Sequence, residues 1–188
     1  SQATISQRPY VNSNLFSSHY LDERLQQRDE WDCDEEAKEV MHDLQDLYQY
    51  EQSPVKGYNE DALVDNWIDE VLKILGFGTQ PEVTLPKGGG YIDELLFETP
   101  ETRRNAAEVY LDTEDTTDLY ERGVGIVEAK QWNADFTARF SDQRPYRNAS
   151  HQIKHYLEKT TSGIQWGILT NGRKWRLYGT YEYETQTY

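Results

Sequence analysis

Apolar residues recur along this chain with two different periods. Between Asp32 and Tyr50, the positions Val40, Met41, Leu44, Leu47 and Tyr48 follow helical spacing and predict an amphipathic helix within a polar N-terminal stretch. Leu63, Val64, Trp67, Ile68, Val71, Leu72 and Leu75 outline one face of a second helix, which should stop at Gly76. A turn-rich stretch from Pro81 to Gly90, with a short strand expected at Glu82 to Leu85, leads into a strand at Tyr91-Ile92-Asp93-Glu94-Leu95-Leu96-Phe97. The run Val124-Gly125-Ile126-Val127 is short and β-branched, as buried strands are. A third helix is predicted from Asn148 to Lys159, and two further strands, Ile164 to Thr170 and Lys174 to Tyr178, join through Asn171-Gly172-Arg173, a strong hairpin signal. From the second helix onward the order is helix, strand, strand, strand, helix, strand, strand. It predicts an α/β domain with a mixed central β-sheet flanked by helices and an N-terminal helical arm.

Residues 1–56 read as an acidic arm carrying the first helix, and 57–188 as the core. Within the core, Thr99 to Arg122 is expected to be a charged insertion, and Gln131 to Arg147 a long polar loop of the kind that covers substrate. Only 36% of the residues are hydrophobic, so five Trp and fourteen Tyr must supply much of the apolar volume. Cys33 is alone, which excludes an internal disulfide. With no secretory leader and no apolar run long enough to span a membrane, a cytoplasmic location is expected. The sequence lacks an initiator Met and stops in the strand-like Tyr181-Glu182-Tyr183-Glu184, so a fragment of a longer polypeptide is expected.

Three stretches carry candidate chemistry: Asp93 on its strand, Glu128-Ala129-Lys130 at the end of the next, and Gln152 with Tyr156 on the last helix. Cutting a phosphodiester requires charge neutralisation at phosphate, an activated water and a group that holds both in line. Two carboxylates and a backbone carbonyl, those of Asp93, Glu128 and Ala129, would suffice for Mg²⁺, which keeps several waters of its own, and Mn²⁺ should substitute. Residues two apart on a strand share a face, so Glu128 and Lys130 should point together while Val127 and Ala129 pack on the other side. Gln152 and Tyr156, four apart on a helix, should stack on one face, either beside the site or as a partly buried polar pair.

Acid-x-Lys alone is weak, because Glu36-Ala37-Lys38 repeats it on the first helix, where a solvated Glu and Lys need no function. Glu94 follows Asp93 directly, and strand alternation sends the two to opposite faces; Asp93, in line with Leu95 and Phe97, is chosen. Glu60, after the N-cap candidate Asn59, either adds a metal ligand or merely complements a helix dipole.

The formal net charge is −15, yet it is uneven: from Lys130 to Arg176 there are nine Lys and Arg against three acids. That block includes Arg139, Arg144, Arg147, Lys154, Lys159, Arg173, Lys174 and Arg176, a footprint suited to phosphate contacts. Scarce lysine and abundant Asp and Glu elsewhere fit a halophilic source, where specific hydrogen bonds and metal must carry binding.

These residues resemble the PD-(D/E)XK nuclease superfamily, and more narrowly the N-terminal endonuclease domain of fused (type IIG-like) restriction-modification enzymes. The stretches that carry the likeness are Asn14-Leu15-Phe16-Ser17-Ser18-His19-Tyr20-Leu21-Asp22, Leu75-Gly76-Phe77, Glu128-Ala129-Lys130-Gln131-Trp132 and Trp166-Gly167-Ile168-Leu169-Thr170-Asn171-Gly172-Arg173-Lys174-Trp175-Arg176-Leu177-Tyr178. The resemblance covers most of the chain, although Ile92 stands where the superfamily name has proline. It implies an Mg²⁺-dependent endodeoxyribonuclease acting on double-stranded DNA. Methyltransferase and target-recognition domains would lie elsewhere in the longer polypeptide. Asp93 and Glu128, with Ala129 and Glu60, resemble metal ligands, Lys130 the residue that orients water, and Gln152, Tyr156, Lys154 and Arg173 DNA contacts or site support. A structure-specific or exonucleolytic relative, or an inactive DNA-binding or assembly module, remains an alternative.

Overall fold

A computed structural model describes residues 10–13, 15–161 and 163–179. Asn14 and the strand-like Tyr181 to Glu184 lie outside the described residues. The described residues divide into two compact units, one up to Ala37 and one from Lys38 onward. In the first, a π-helical turn at Tyr20–Arg24 is opened by the Ser17 hydroxyl, which accepts from the Tyr20 N–H, and two short 3-10 turns follow.

The second unit holds a five-stranded sheet in sequence order: β1 (Gly78–Thr84), β2 (Tyr91–Phe97), β3 (Gly125–Ala129), β4 (Trp166–Thr170) and β5 (Trp175–Gly179). Only β3 and β4 run parallel. A parallel step needs a crossover, supplied here by α6 (Ala149–Glu158), whose N-cap Asn148 accepts from the His151 N–H. The sheet is therefore mixed and the domain α/β, as the alternating elements predict.

Two cores lie against the sheet. On one face Leu95, Phe97, Ile126 and Leu169 pack with Ile153, Tyr156 and Leu157 of α6. Gly167 permits this closeness, since a Cβ there would meet Ile153 at 3.0 Å and Leu157 at 3.1 Å. On the other face Leu96, Val127 and Ala129 meet Leu63 of α2 (Glu60–Leu63), Trp67 and Ile68 of a π-helical turn (Val64–Ile68), and Val71 and Leu72 of α3 (Asp69–Ile74). Val127 and Ala129 thus pack opposite to Ile126, as strand alternation requires.

The 18-residue helix α1 (Asp34–Glu51), expected within the N-terminal arm, packs the Leu44 and Leu47 of its apolar stripe on the Trp67 core. Two sequence expectations need correction. Strand β1 starts at Gly78 rather than Glu82; Pro81 is tolerated because β1 is an edge strand. The charged insertion is helical, with α4 (Pro100–Thr113) capped by Thr99 and α5 (Thr116–Arg122) capped by Asp115. Ala106, Leu119 and Tyr120 are the buried residues that anchor the pair in the core, with Tyr110 packed partly against it, too few to show as a period.

Candidate active site

The ladder between β2 and β3 ends at the Glu94–Val127 pair. Beyond it the next two bonds come from side chains: the Asp93 N–H donates to Glu128 Oε1 at 3.2 Å, and the Ala129 N–H donates to Asp93 Oδ2 at 2.7 Å. Two carboxyl groups have replaced two carbonyls where the strands diverge. Each is held by the backbone beside the other acid, so the pair is set by the sheet rather than by flexible rotamers.

Glu128 is buried on the α6 face, and burial pushes its pKa well above the usual carboxylate range; Asp93 raises it further, and Lys130 opposes both. Crowded acids with an all-oxygen donor set suit a hard divalent cation, which removes their repulsion. Strand geometry turns the Ala129 carbonyl to the same side as its N–H, toward Asp93. No group of three or more His, Cys, Asp or Glu residues that could hold a metal occurs among the described residues. A cation here would rest on Asp93, Glu128 and the Ala129 carbonyl, with waters completing the shell, a composition that fits Mg²⁺.

Glu60 stands aside. Capped by the Asn59 carboxamide, which accepts from the Ala62 N–H, it opens α2 and lines a shallow cleft of about 420 Å³ with Asn59, Asp61 and Gln131. Partial burial raises its pKa, Lys130 lowers it, Asp93 raises it and Arg144 lowers it, so its carboxyl shares the field of the site without completing a three-acid cluster.

Lys130 is half-buried where β3 ends, and its N–H donates to the Thr170 carbonyl at 2.9 Å. Trp132 wedges between Trp67 and the β4–β5 turn, where the Trp67 indole donates to the Gly172 carbonyl at 2.7 Å. These contacts fix the chain on both sides of the lysine.

On α6 Gln152 and Tyr156 are both buried and share a face. The Gln152 Nε2 donates to Tyr156 at 3.2 Å and to Tyr146 at 3.3 Å, and the two hydroxyls lie 3.2 Å apart. One phenolic hydrogen is spent between them, which leaves the triad one O–H to deliver outward. The buried Gln152 Oε1 has no partner, so the triad also offers an acceptor. The Tyr156 pKa is raised by burial first, then by Tyr146, with Glu128 adding to the shift, which places the hydroxyl in the field of the carboxyl pair.

Two candidates are not gathered there. Lys154 lies with its ammonium 5.8 Å from the Tyr178 ring, on the side of α6 turned from Gln152, and Arg173 is exposed in the β4–β5 turn. Glu94 is turned instead toward α3, where Asp69 acts on it. Sequence reasoning missed Tyr146 and Phe140; four aromatics, Trp132, Phe136, Phe140 and Tyr146, in a loop otherwise rich in charged and polar residues were the available signal. Comparison with protein-family models, curated proteins and solved structures returns no match.

Proposed function

We propose that this chain is a metal-dependent endodeoxyribonuclease that hydrolyses phosphodiester bonds in double-stranded DNA. The observation that carries the reading is the fork of β2 and β3, where the Asp93 N–H donates to the Glu128 carboxyl and the Ala129 N–H to the Asp93 carboxyl, immediately before Lys130. Asp93 and Glu128 would hold a divalent cation. When bound, that cation supplies Lewis-acid activation of water and neutralises charge at the phosphate. Lys130, on the face of Glu128, orients the attacking water by donating to it from its ammonium, whose positive charge favours the hydroxide that forms as the water gives its proton to solvent. The spare hydroxyl of the Tyr146–Gln152–Tyr156 triad donates to the phosphate or to its water shell. The basic stretch after Lys130 offsets the acidic remainder and favours the DNA backbone. The likeness to restriction-modification enzymes supports a cleavage module whose target recognition comes from other domains of a longer polypeptide.

Circular plasmid DNA tests this directly, with Mg²⁺ or Mn²⁺ over low and high KCl. Wild-type chain is expected to convert supercoiled plasmid to nicked and linear forms, while Lys130→Ala binds DNA and leaves it intact. Cleavage by Lys130→Ala would remove the lysine from the mechanism. Activity confined to free ends or branched DNA would favour the exonucleolytic or structure-specific reading, and DNA binding without cleavage under any condition the inactive module.

A further inference from the structure

The loop beyond Lys130 closes on itself, because the Phe140 N–H donates to the Arg147 carbonyl at 2.6 Å. The eight residues from Phe140 to Arg147 carry their own small core, as compact Ω-type loops do. Phe140 packs edge to face on Tyr146 at 5.8 Å, and Tyr146 continues onto Tyr156 at 5.7 Å and His155 at 5.8 Å. The Phe140 ring is thereby braced against α6.

Two cations meet that ring. The Lys130 Nζ lies 5.4 Å from its centroid and the Arg144 guanidinium 4.9 Å. Both lie in the field of the Glu60 carboxyl, and Lys130 in that of Glu128 as well, so the shared ring places Arg144 next to the lysine that follows the carboxyl pair. Neither makes an ion pair within 4.0 Å among the described residues, whereas Arg139, just before the loop, is tied to Asp142 at 3.1 Å. Two like charges sharing one ring repel unless an anion lies between or beside them. An aromatic ring engages a guanidinium while leaving N–H donors free, and those donors match two oxygens of a phosphate.

We infer that Arg144 binds a backbone phosphate of the DNA beside Lys130, and that Phe140 is the positioning residue that aims both cations at it. This rests on the nuclease reading and adds to it a phosphate-binding residue and its support. Lys130 serves the water; Arg144 holds the phosphate to which that water is directed.

The test pairs two readouts on the 188-residue chain. Affinity for a fluorescein-labelled duplex is measured by anisotropy in Ca²⁺ across a KCl series, and plasmid cleavage in Mg²⁺. Arg144→Ala is expected to weaken binding about ten-fold and to flatten the log–log salt dependence by roughly one unit, the loss of one phosphate contact. Arg144→Lys restores the salt slope with only part of the affinity. Phe140→Leu raises KM more than it lowers kcat, and Phe140→Trp, which keeps a ring, stays near wild type. Arg104→Ala on α4, exposed and paired with Glu108, serves as control. Wild-type affinity and slope in Arg144→Ala would overturn the inference while leaving plasmid cleavage, and the nuclease reading, intact. A wild-type chain that cuts nothing yet loses affinity on Arg144→Ala would keep the phosphate contact and overturn the nuclease; one that binds no duplex overturns both.

Discussion

Glu94 offers a quantitative test of how the sheet is held. Its carboxyl is fully buried and neither oxygen has a hydrogen-bond partner of good geometry. Burial first, then Asp69, push its pKa from 4.5 up to about 9, with Thr79 opposing. The folded chain therefore keeps this proton across the neutral range, while the unfolded chain releases it above its ordinary value. Stability from this group is fully present below that value, falls as pH rises, and stops falling once the folded form also ionises. One proton corresponds to about 1.4 kcal/mol per pH unit, on the order of 4 kcal/mol between pH 5.5 and 8.5. Glu94→Gln has no proton to lose, keeps the shape, and its amide can donate to the unpartnered Asp69 Oδ1. Urea unfolding followed by Trp fluorescence, in EDTA at several pH values, measures the difference. Groups remote from Glu94 contribute equally to both proteins, so the variant should gain on the order of 1 kcal/mol on wild type per pH unit, at unchanged m-value. Parallel stability profiles would refute the reasoning.

Metal binding should show the same linkage with opposite consequence: because burial and Asp93 raise the Glu128 pKa and a metal needs the carboxylate, Mn²⁺ affinity measured by calorimetry should rise with pH and release protons. Glu128→Gln should abolish it, and pH-independent binding would place the cation elsewhere. Gly172→Ala should destabilise by on the order of 2–4 kcal/mol in thermal melts, since φ is +82° and the new Cβ would lie 2.8 Å from the rigid Trp132 ring. Asn148→Ala removes the cap of α6 and should cost about 1 kcal/mol in urea unfolding.

The sheet was largely legible because each strand is flanked by turn residues and alternates, or is buried throughout, over a short run. Strand β3 and the β4–β5 hairpin fall within a residue or two of the sequence expectation. The helices α4 and α5 were not legible from period, since Ala106 alone is buried on the first; Thr99-Pro100-Glu101-Thr102 did hold a cap, a first-turn Pro and an early acid. At the site, alternation sufficed to separate Asp93 from Glu94 and to put Glu128 with Lys130. It could not bring in Tyr146, Phe140 or Arg144, whose position depends on a loop closed by one backbone bond and a chain of ring contacts with no sequence period.

The two acid pairs on this sheet show why carboxylates alone do not define a site. Glu94 with Asp69 and Glu128 with Asp93 are both crowded, and burial is the first cause of the raised pKa in each. What differs is the company. Glu94 points to the face where Leu96, Ile68 and Leu72 form one core, and no cation acts on it, so the repulsion can be relieved only by keeping a proton. Glu128 has Lys130 acting on it, and Asp93 is half-exposed at the fork, beside the open cleft of Glu60. A divalent cation bound at that fork would relieve the repulsion in place of a proton. In a chain of net charge −15, it is the siting of a few positive groups after Ala129 that converts one of two similar acid pairs from a structural proton store into a candidate metal centre.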